Sequence, residues 1–296
     1  MAVLRTVIQD THQKLESAGI PDARLEAEVM VMNVLRMPRQ AIFAEQEREV
    51  SEQQQVALDE LLKRRYTREP LAYILGQREF YGINVVLTPA VLIPRPESEG
   101  LVEHALFMAM MGMESTDLTI ADVGTGSGAI AINLAMHLPM GRIFAVDISD
   151  SVLDVAAYNI RAHGVGDRVS LAIGDLLDAV PEPLDLIVAN LPYIPTDRIS
   201  TLQPEVQKEP VLALDGGADG LDLIRRLLAQ AENKLKSHGI ILLEMDPDQV
   251  PVVAELALQH FPKGSTDVEQ DLAGMDRILV IHRQNPSNSA IAEGTN

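Results

Sequence analysis

Apolar residues recur at helical spacing along the first part of the chain. Leu25, Val29, Met32 and Leu35, for example, fall on one side of a predicted helix. We therefore expect residues 1–78 to form a small N-terminal helical domain. Its predicted helices are 2–18, 22–36 and 51–67, with prolines near their boundaries.

The pattern changes beyond this segment. Residues 79–87 predict a short β segment, and a helix is expected over about 97–111. We interpret residues 79–117 as a β-hairpin and a linker helix. The tail 284–296, which is rich in Asn, Ser and Pro, is expected to be disordered.

From residue 118 to 283, short apolar runs alternate with helical patterns. This alternation is typical of an α/β domain in which right-handed helical crossovers join parallel strands. The predicted strands are 119–123, 142–146, 169–173, 184–189, 240–245 and 277–282, and the predicted helices include 130–137, 219–236 and 248–260.

A glycine-rich loop follows the first strand of this domain and precedes a helix. It consists of Gly124, Thr125, Gly126, Ser127 and Gly128. Glycines at such a position permit a tight turn and a close approach of the backbone to a ligand. The spacing is not that of a dinucleotide-binding loop, because the third glycine comes one residue early.

Acidic residues follow the next two strands. Asp147 lies about 20 residues beyond the glycines, where a carboxylate can accept hydrogen bonds from both hydroxyls of a ribose. Asp175 is placed to meet the edge of an adenine ring, and Leu176 is expected to provide apolar cover beside it. The glycine loop and these acids together predict a nucleoside cofactor.

Asn190, Leu191, Pro192 and Tyr193 follow the fourth predicted strand. A side-chain amide, a backbone carbonyl and an aromatic ring can hold a planar NH2 group between two acceptors and a ring face. Methyl transfer to an amide or amino nitrogen needs this arrangement, because the lone pair of such a nitrogen is delocalised. We predict that all four residues bind substrate and that Asn190 and Tyr193 are catalytic.

Composition and charge exclude several classes of protein. The 296-residue chain is 47% hydrophobic and contains no cysteine, so it predicts a packed core without disulfides or thiolate zinc sites. No histidines are spaced as a pair of ligands, and no metal is expected. No apolar run approaches ~20 residues and no signal pattern is present, so we expect a soluble cytoplasmic protein without membrane partners.

The formal net charge of −19 and the absence of tryptophan argue against direct binding of nucleic acid. Lys63, Arg64, Arg65 and Arg68 form a local basic exception. We interpret this cluster as the solvated face of a helix.

The chain to about residue 283 resembles the release-factor glutamine N5-methyltransferases, the PrmC/HemK family. The resemblance rests on residues 24–28, 68–76, 92–97, 122–128 and 213–221. Segments 92–97 and 213–221 are far more specific than the glycine loop, which most S-adenosylmethionine enzymes share.

The resemblance implies a Rossmann-like, seven-stranded class I methyltransferase sheet with a helical N-terminal domain that recognises the substrate. It implies S-adenosyl-L-methionine as cofactor, held by the glycine loop, Asp147, Asp175, Leu176 and Asn190. The implied substrate is the glutamine of the Gly-Gly-Gln motif in bacterial class I peptide chain release factors.

Two segments depart from the family's pattern. Leu191 stands where the family usually has the first proline of Asn-Pro-Pro-Tyr, and it supplies the same backbone carbonyl with less rigidity. Met245 and Asp246 follow Glu244 where the family commonly has Ile-Gly, so the loop after that strand lacks its glycine.

Two other functions stay open at this point. An RNA or DNA adenine-N6 methyltransferase would face the same nitrogen chemistry, and Asn-Leu-Pro-Tyr also resembles the motif of ribosomal RNA adenine dimethyltransferases. A non-catalytic adaptor would bind the cofactor and dock a partner through the N-terminal helices. The acidic charge and the Ile-Pro-Arg-Pro-Glu segment disfavour the first function, and the intact Asn-x-Pro-Tyr disfavours the second.

Overall fold

The computed structural model describes residues 2–111 and 117–284. The chain divides into two compact units, Met1–Gln77 with Gln203–Lys208, and Arg78–Leu202 with Glu209–Asn296. The predicted disordered tail lies, apart from residue 284, outside the described residues, as do residues 112–116 of the predicted linker.

The first unit is helical. Its elements are β1 (Ala2–Val3), α1 (Leu4–Ser17), α2 (Ala23–Leu35), α3 (Arg39–Ala44), β2 (Glu49–Val50), α4 (Glu52–Tyr66) and α5 (Leu71–Leu75). Helices α1, α2 and α4 correspond to the three predicted helices. The predictions omit α3 and α5, since helices of one or two turns leave almost no periodic pattern.

The helical spacing correctly predicted α2, and of the four apolar positions that carried it Leu35 is buried and Val29 and Met32 are partly buried. Ala27, Met30 and Val31 are fully buried, whereas Leu25 is 52% exposed. The helix carries apolar side chains on most sides of its own surface, so their spacing alone does not identify the face that is buried.

The solvated interpretation of the basic cluster was wrong for Arg65, which is buried. Its guanidinium donates to both carboxylate oxygens of Glu26, at 2.7 and 3.1 Å, and lies 2.8 Å from Glu205. A planar guanidinium can bind two carboxylates in this way, which makes its burial tolerable. Lys63 on the same helix is exposed and pairs with Glu60.

The second unit begins with a two-stranded sheet of β3 (Gln77–Phe80) and β4 (Ile83–Val86). A short 3-10 turn over Pro96–Ser98 then leads into α6 (Glu99–Met111). The remaining elements are β5 (Thr119–Val123), α7 (Ala129–His137), β6 (Arg142–Asp147), α8 (Asp150–Ala162), β7 (Val169–Ile173), β8 (Leu184–Ala189), α9 (Asp222–Lys234), β9 (Leu235–Glu244), α10 (Val250–His260), β10 (Ser265–Gln270) and β11 (Asp276–His282).

Within the described residues the main sheet has seven strands in the order β10-β11-β9-β8-β5-β6-β7. Strands β5 to β9 run parallel, and β11 and β10 are antiparallel. This sheet confirms the predicted α/β class. β10 is absent from the predictions, because this edge strand is mostly polar and partly exposed.

The parallel arrangement brings the carboxyl ends of five strands to one edge of the sheet. Asp147 therefore ends its strand at the same edge at which residues 124–128, 174–176, 190–193 and 245–246 follow theirs. No helix among the described residues is long and apolar enough to cross a membrane.

Candidate active site

A cavity of about 470 Å³ opens at the carboxyl edge of β5, β6 and β8. Its volume falls in the usual range of small-molecule sites. The sequence-predicted residues that line it are Gly124, Gly126, Asp147, Asp175, Leu176, Asn190, Leu191 and Pro192. Residues outside the sequence prediction also line it, among them Ile148 and Arg226.

The glycines of the loop allow backbone angles that other residues rarely adopt, and they leave room for neighbouring side chains. Gly124, Gly126 and Gly128 have φ angles of +71°, +56° and +81°, which side chains rarely adopt. A Cβ atom on Gly124 would also lie 3.1 Å from the Leu191 side chain. The positive φ angle is therefore the main reason for a glycine at position 124, and a side chain there would also press on Leu191.

Thr125, Ser127 and Gly128 are not among the cavity-lining residues, and they secure the loop. The Thr125 hydroxyl donates to Asp122 at 2.7 Å, and the Ser127 carbonyl accepts from the Asn159 side chain at 2.9 Å. Gly128 directly precedes the first turn of α7.

Asp122 lies under this loop, buried at the end of β5. Besides the Thr125 hydroxyl it accepts the backbone N–H of Ala131 at 3.1 Å. Burial raises the pKa of Asp122 to about 6, although both hydrogen bonds act to lower it. Asp122 is not among the residues predicted from the sequence, where an acid inside an apolar strand was the available signal.

Asp147 ends β6 beside the loop. Its carboxylate accepts the backbone N–H groups of Gly126 at 3.3 Å and Ser149 at 3.2 Å. Burial raises its pKa, and these N–H groups counteract the shift. A carboxylate has about four lone-pair positions, so further hydroxyl donors can bind to it from the cavity.

Asp175 and Leu176 follow β7. The Asp175 carboxylate forms an ion pair with Arg226, so one of its oxygens is already engaged. Leu176 has a φ angle of +57° and is buried. Ile148 also lines the cavity, and its side chain is 57% exposed.

The Asn190 amide is held by its nitrogen. Nδ2 donates to the Ser98 hydroxyl at 2.8 Å, and no donor of the described residues bonds to Oδ1. Leu191 is buried against the glycine loop. An amide fixed in this way can offer an oxygen acceptor at the cavity wall.

Tyr193 is half-buried and is not among the residues that line the cavity. Burial, followed by the charge of Glu244, raises the pKa of its phenol to about 12, so the ring is neutral at physiological pH. Its carbonyl accepts from the Gln249 side chain at 2.9 Å. A Cβ atom on Gly220 would lie 2.1 Å from this carbonyl, which explains a glycine in segment 213–221.

Asn190 is linked through Ser98 to a second buried side chain, Glu244. Ser98 is buried and donates to the Glu244 carboxylate. Burial raises the pKa of Glu244, which ends β9, to about 7. Arg95 lies in the same loop as Ser98 and donates to Glu209 at 2.6 Å, while Glu209 also accepts the backbone N–H of Ile93.

Similarity to known proteins establishes the family of this chain. A PrmC N-terminal domain matches residues 6–76, and a methyltransferase domain matches residues 114–274. The release factor glutamine methyltransferase of Moorella thermoacetica is 40% identical over 282 residues, which cover 95% of this chain and 99% of that protein. The chain belongs to the release factor glutamine methyltransferase family. The Geobacter sulfurreducens member is 38% identical over 281 residues, with 93% and 95% coverage of the two chains.

A solved structure with the same fold is the hMettl16 catalytic domain in complex with MAT2A 3′UTR hairpin 6. The TM-score is 0.55 at 17% identity, with 73% of this chain and 81% of that chain covered. At this identity the likeness concerns the fold alone, and it agrees with the predicted class I methyltransferase sheet.

As a member of this family the chain is a methyltransferase with S-adenosyl-L-methionine as its cofactor. The residues present fit that molecule. The glycine loop leaves room where side chains would project, and Asp147 offers a fixed carboxylate at the wall of a cavity of suitable size.

Asp122 makes stability depend on pH in a direction that can be tested. Its folded-state pKa of about 6 exceeds the ordinary value, so its contribution is fully present below about pH 4 and is lost as pH rises through 6. Asp122→Asn removes this titration. We expect the free energy of unfolding of the variant, relative to wild type, to rise by on the order of 1–3 kcal/mol between pH 4.5 and pH 8.

Urea unfolding followed by circular dichroism at pH 4.5, 6 and 8 measures this difference. A difference between the two proteins that is the same at all three pH values would contradict the raised pKa of Asp122.

Proposed function

We propose that this protein methylates the N5 nitrogen of the glutamine in the Gly-Gly-Gln motif of bacterial class I peptide chain release factors. The observation that carries the proposal is the Asn190 amide, which is fixed through its nitrogen and lines the cavity beside the glycine loop. This geometry suits an incoming NH2 group, which needs acceptors. The names of the relatives supply the class of protein substrate.

In the proposed complex, Asn190 Oδ1 and the Leu191 carbonyl accept the two N–H bonds of the substrate amide. The neutral Tyr193 ring packs against the amide plane and orients it. When bound, S-adenosylmethionine supplies an electrophilic methyl group. The residues of this chain contribute positioning and local electrostatics.

Asn190 is not a general base, because a neutral amide does not take up a proton at pH 7. The proton that the substrate nitrogen loses passes to water after methylation, when that nitrogen is strongly acidic. The proposal therefore needs neither a metal nor a covalent enzyme intermediate.

The cofactor residues are assigned in the same proposal. Gly124 and Gly126 allow close approach of the backbone, and Asp147 accepts the ribose hydroxyls. Leu176 and the exposed Ile148 supply apolar cover for the adenine, while Asp175 meets its edge. Asn190 lies at the junction of the cofactor and substrate sites.

The N-terminal unit is proposed to bind the body of the release factor. It contains a groove of about 380 Å³ whose wall includes Leu25 and Phe43, and both of these side chains are substantially exposed. Arg39 lies over the Phe43 ring at 5.8 Å, and Arg24 flanks the groove. Arg24 and Arg39 both pair with Glu28, and Glu16 and Asp22 also line the groove. The exposed apolar side chains therefore suit a partly apolar protein surface.

Cofactor binding is tested at Asp147. S-adenosylmethionine at a hundredfold excess over its Kd should stabilise the wild type by ~2.7 kcal/mol. Asp147→Ala should lose most of this stabilisation at the same concentration, since the ribose hydroxyls lose their acceptor. Melting temperatures with and without cofactor measure it, and Asp178→Ala serves as the control because that acid is exposed outside the cavity. If the cofactor raised the melting temperature of wild type and Asp147→Ala equally, the proposed role of Asp147 in binding the ribose would be refuted.

The methylation itself is tested at Asn190 and Leu191. Asn190→Ala should lower kcat by on the order of a hundredfold or more, as loss of a positioned polar group does. Leu191→Pro keeps the backbone carbonyl and should remain within roughly tenfold of wild type, about 1.4 kcal/mol. The turnover of both variants is measured by the transfer of labelled methyl to purified release factor, and mass spectrometry identifies the methylated glutamine.

Ribosomal RNA is offered as the competing acceptor in the same assay. Label in the RNA and none in the release factor would reject the proposal in favour of an adenine methyltransferase. If kcat fell equally and severely in Asn190→Ala and Leu191→Pro, the Leu191 side chain would have a role of its own.

Substrate docking is tested with the paired substitution Leu25→Ser and Phe43→Ser. We expect KM for the release factor to rise about tenfold or more, because two apolar contacts are lost. The kcat at saturation and the cofactor affinity should not change. Leu272→Ser, at an exposed position between β10 and β11, is the control. An unchanged KM in the paired variant would place substrate recognition elsewhere.

A further inference from the structure

Three buried or half-buried side chains form one hydrogen-bonded chain behind the candidate site. Asn190 Nδ2 donates to Ser98 Oγ at 2.8 Å, and the Ser98 hydroxyl donates to the Glu244 carboxylate. Ser98 and Glu244 are almost fully buried, whereas Asn190 reaches the cavity. Ser98 lies in the turn before α6, Asn190 follows β8, and Glu244 ends β9.

The direction of these hydrogen bonds follows from the number of protons. An ionised carboxylate can only accept, so the single hydroxyl proton of Ser98 is committed to Glu244. The Ser98 oxygen can then only accept from Asn190. Asn190 must therefore present its NH2 group to Ser98, which leaves Oδ1 for the cavity.

A flipped Asn190 amide would defeat the proposed reaction. Its NH2 group would face the NH2 group of the substrate, and two donors would meet without an acceptor. The two orientations have nearly the same shape, so packing alone discriminates poorly between them. A directional hydrogen-bond chain does discriminate.

We propose that Glu244, acting through Ser98, is a positioning residue that sets which end of the Asn190 amide faces the substrate. This inference rests on the proposed function for its consequence in turnover. No proton is transferred along the chain during the reaction, and Glu244 does not touch the substrate.

The burial of Glu244 supports a role beyond packing. Its Oε2 atom has no hydrogen-bond partner among the described residues. A buried carboxylate with an unpaired oxygen is costly, and a neutral side chain of the same shape would pack there at lower cost. The retained acid is explained if its ionised form, which only accepts hydrogen bonds, fixes the direction of the hydrogen bond from Ser98.

The charged groups around Glu244 are few. Arg277, from the neighbouring strand β11, and Arg95 favour its ionised form, whereas Glu97 disfavours it. The neutral Tyr193 phenol also faces it. With a pKa of about 7, Glu244 is ionised above neutral pH and becomes a donor below it.

Protonation would release the constraint, because a carboxylic acid can donate to Ser98 and free the hydroxyl proton. Turnover of the wild type should therefore fall as pH drops below about 7. Asp122, with a pKa of about 6, can add a second loss at lower pH. A loss that disappears in Glu244→Gln belongs to Glu244.

The experiment compares Glu244→Gln and Ser98→Ala in the full-length protein. We expect kcat for release factor methylation at pH 8 to fall on the order of tenfold to a hundredfold in each. KM and the Kd of S-adenosylmethionine should stay within about twofold, since the orientation of one acceptor changes and the cofactor site does not. The loss of turnover between pH 8 and pH 6.5 should be absent in Glu244→Gln. Ser98→Thr, which keeps the hydroxyl, should recover most of the turnover that Ser98→Ala loses.

Asp185→Asn is the matched control. It makes the same carboxylate-to-amide change near the opposite end of β8, where Asp185 accepts from the Thr119 backbone and from Lys236. It should leave the pH profile of turnover as in the wild type. A merely structural role of Glu244 would lower the melting temperature or the cofactor affinity and would leave the pH profile unchanged.

A second readout needs no substrate. The side-chain NH2 resonances of Asn190, identified by their loss in Asn190→Ala, are followed by NMR between pH 6 and pH 8. We expect them to shift with pH in the wild type and to stay constant in Glu244→Gln. Unchanged turnover and an unchanged pH response in Glu244→Gln would overturn the inference. A wild type that titrates in this way but does not methylate release factor would reject the proposed function and leave the hydrogen-bond chain supported.

Discussion

The buried carboxylate of Asp122 organises the cofactor side of this site. The loop has three positive φ angles, and besides the backbone hydrogen bonds of Gly124, Thr125 and Gly128 its shape is supported by buried side chains. Asp122 supplies that support by accepting from Thr125 in the loop and from Ala131 in the first turn of α7. Asp147, at the end of the next strand, then bonds to the loop from its other side. These contacts fix the glycine loop, which forms one wall of the cavity.

A second buried acid stands behind the Asn190 turn. Glu244 and Asp122 lie at or near the carboxyl ends of β9 and β5, on either side of β8 in the sheet order. Burial raises the pKa of both. One acid holds a backbone loop, and the other sets the direction of a side-chain hydrogen bond. In both places the buried carboxylate accepts a side-chain hydroxyl, from Thr125 at Asp122 and from Ser98 at Glu244.

The arginines of this acidic chain are largely engaged with acids. Arg65 binds Glu26, Arg95 binds Glu209, and Arg226 pairs with Asp175 at the cavity. The cluster that looked like a basic face in the sequence is thus partly an internal ion pair. With a net charge of −19, such a chain offers little attraction for phosphate backbones and suits a protein substrate better.

The residue pattern alone determined the features that depend on residues close together in the sequence. The alternation of strands and helices, the glycine loop, Asp147 and the Asn190 turn are readable because a strand, its turn and the following helix are continuous in sequence. The family resemblance rested chiefly on segments 92–97 and 213–221, and it was this resemblance that implied the seven-stranded sheet. Leu191 in place of proline was also readable, and it keeps the carbonyl.

Only the tertiary structure decided the contacts between distant segments. Ser98 and Asn190 are 92 positions apart, and nothing local marks them as partners. The buried side of α2 depends on which helices pack against it, and the burial of Arg65 depends on Glu205 from a far segment. Hydrogen bonds and packing faces of this kind arise from the fold as a whole, so a periodic pattern or a spacing rule carries no trace of them.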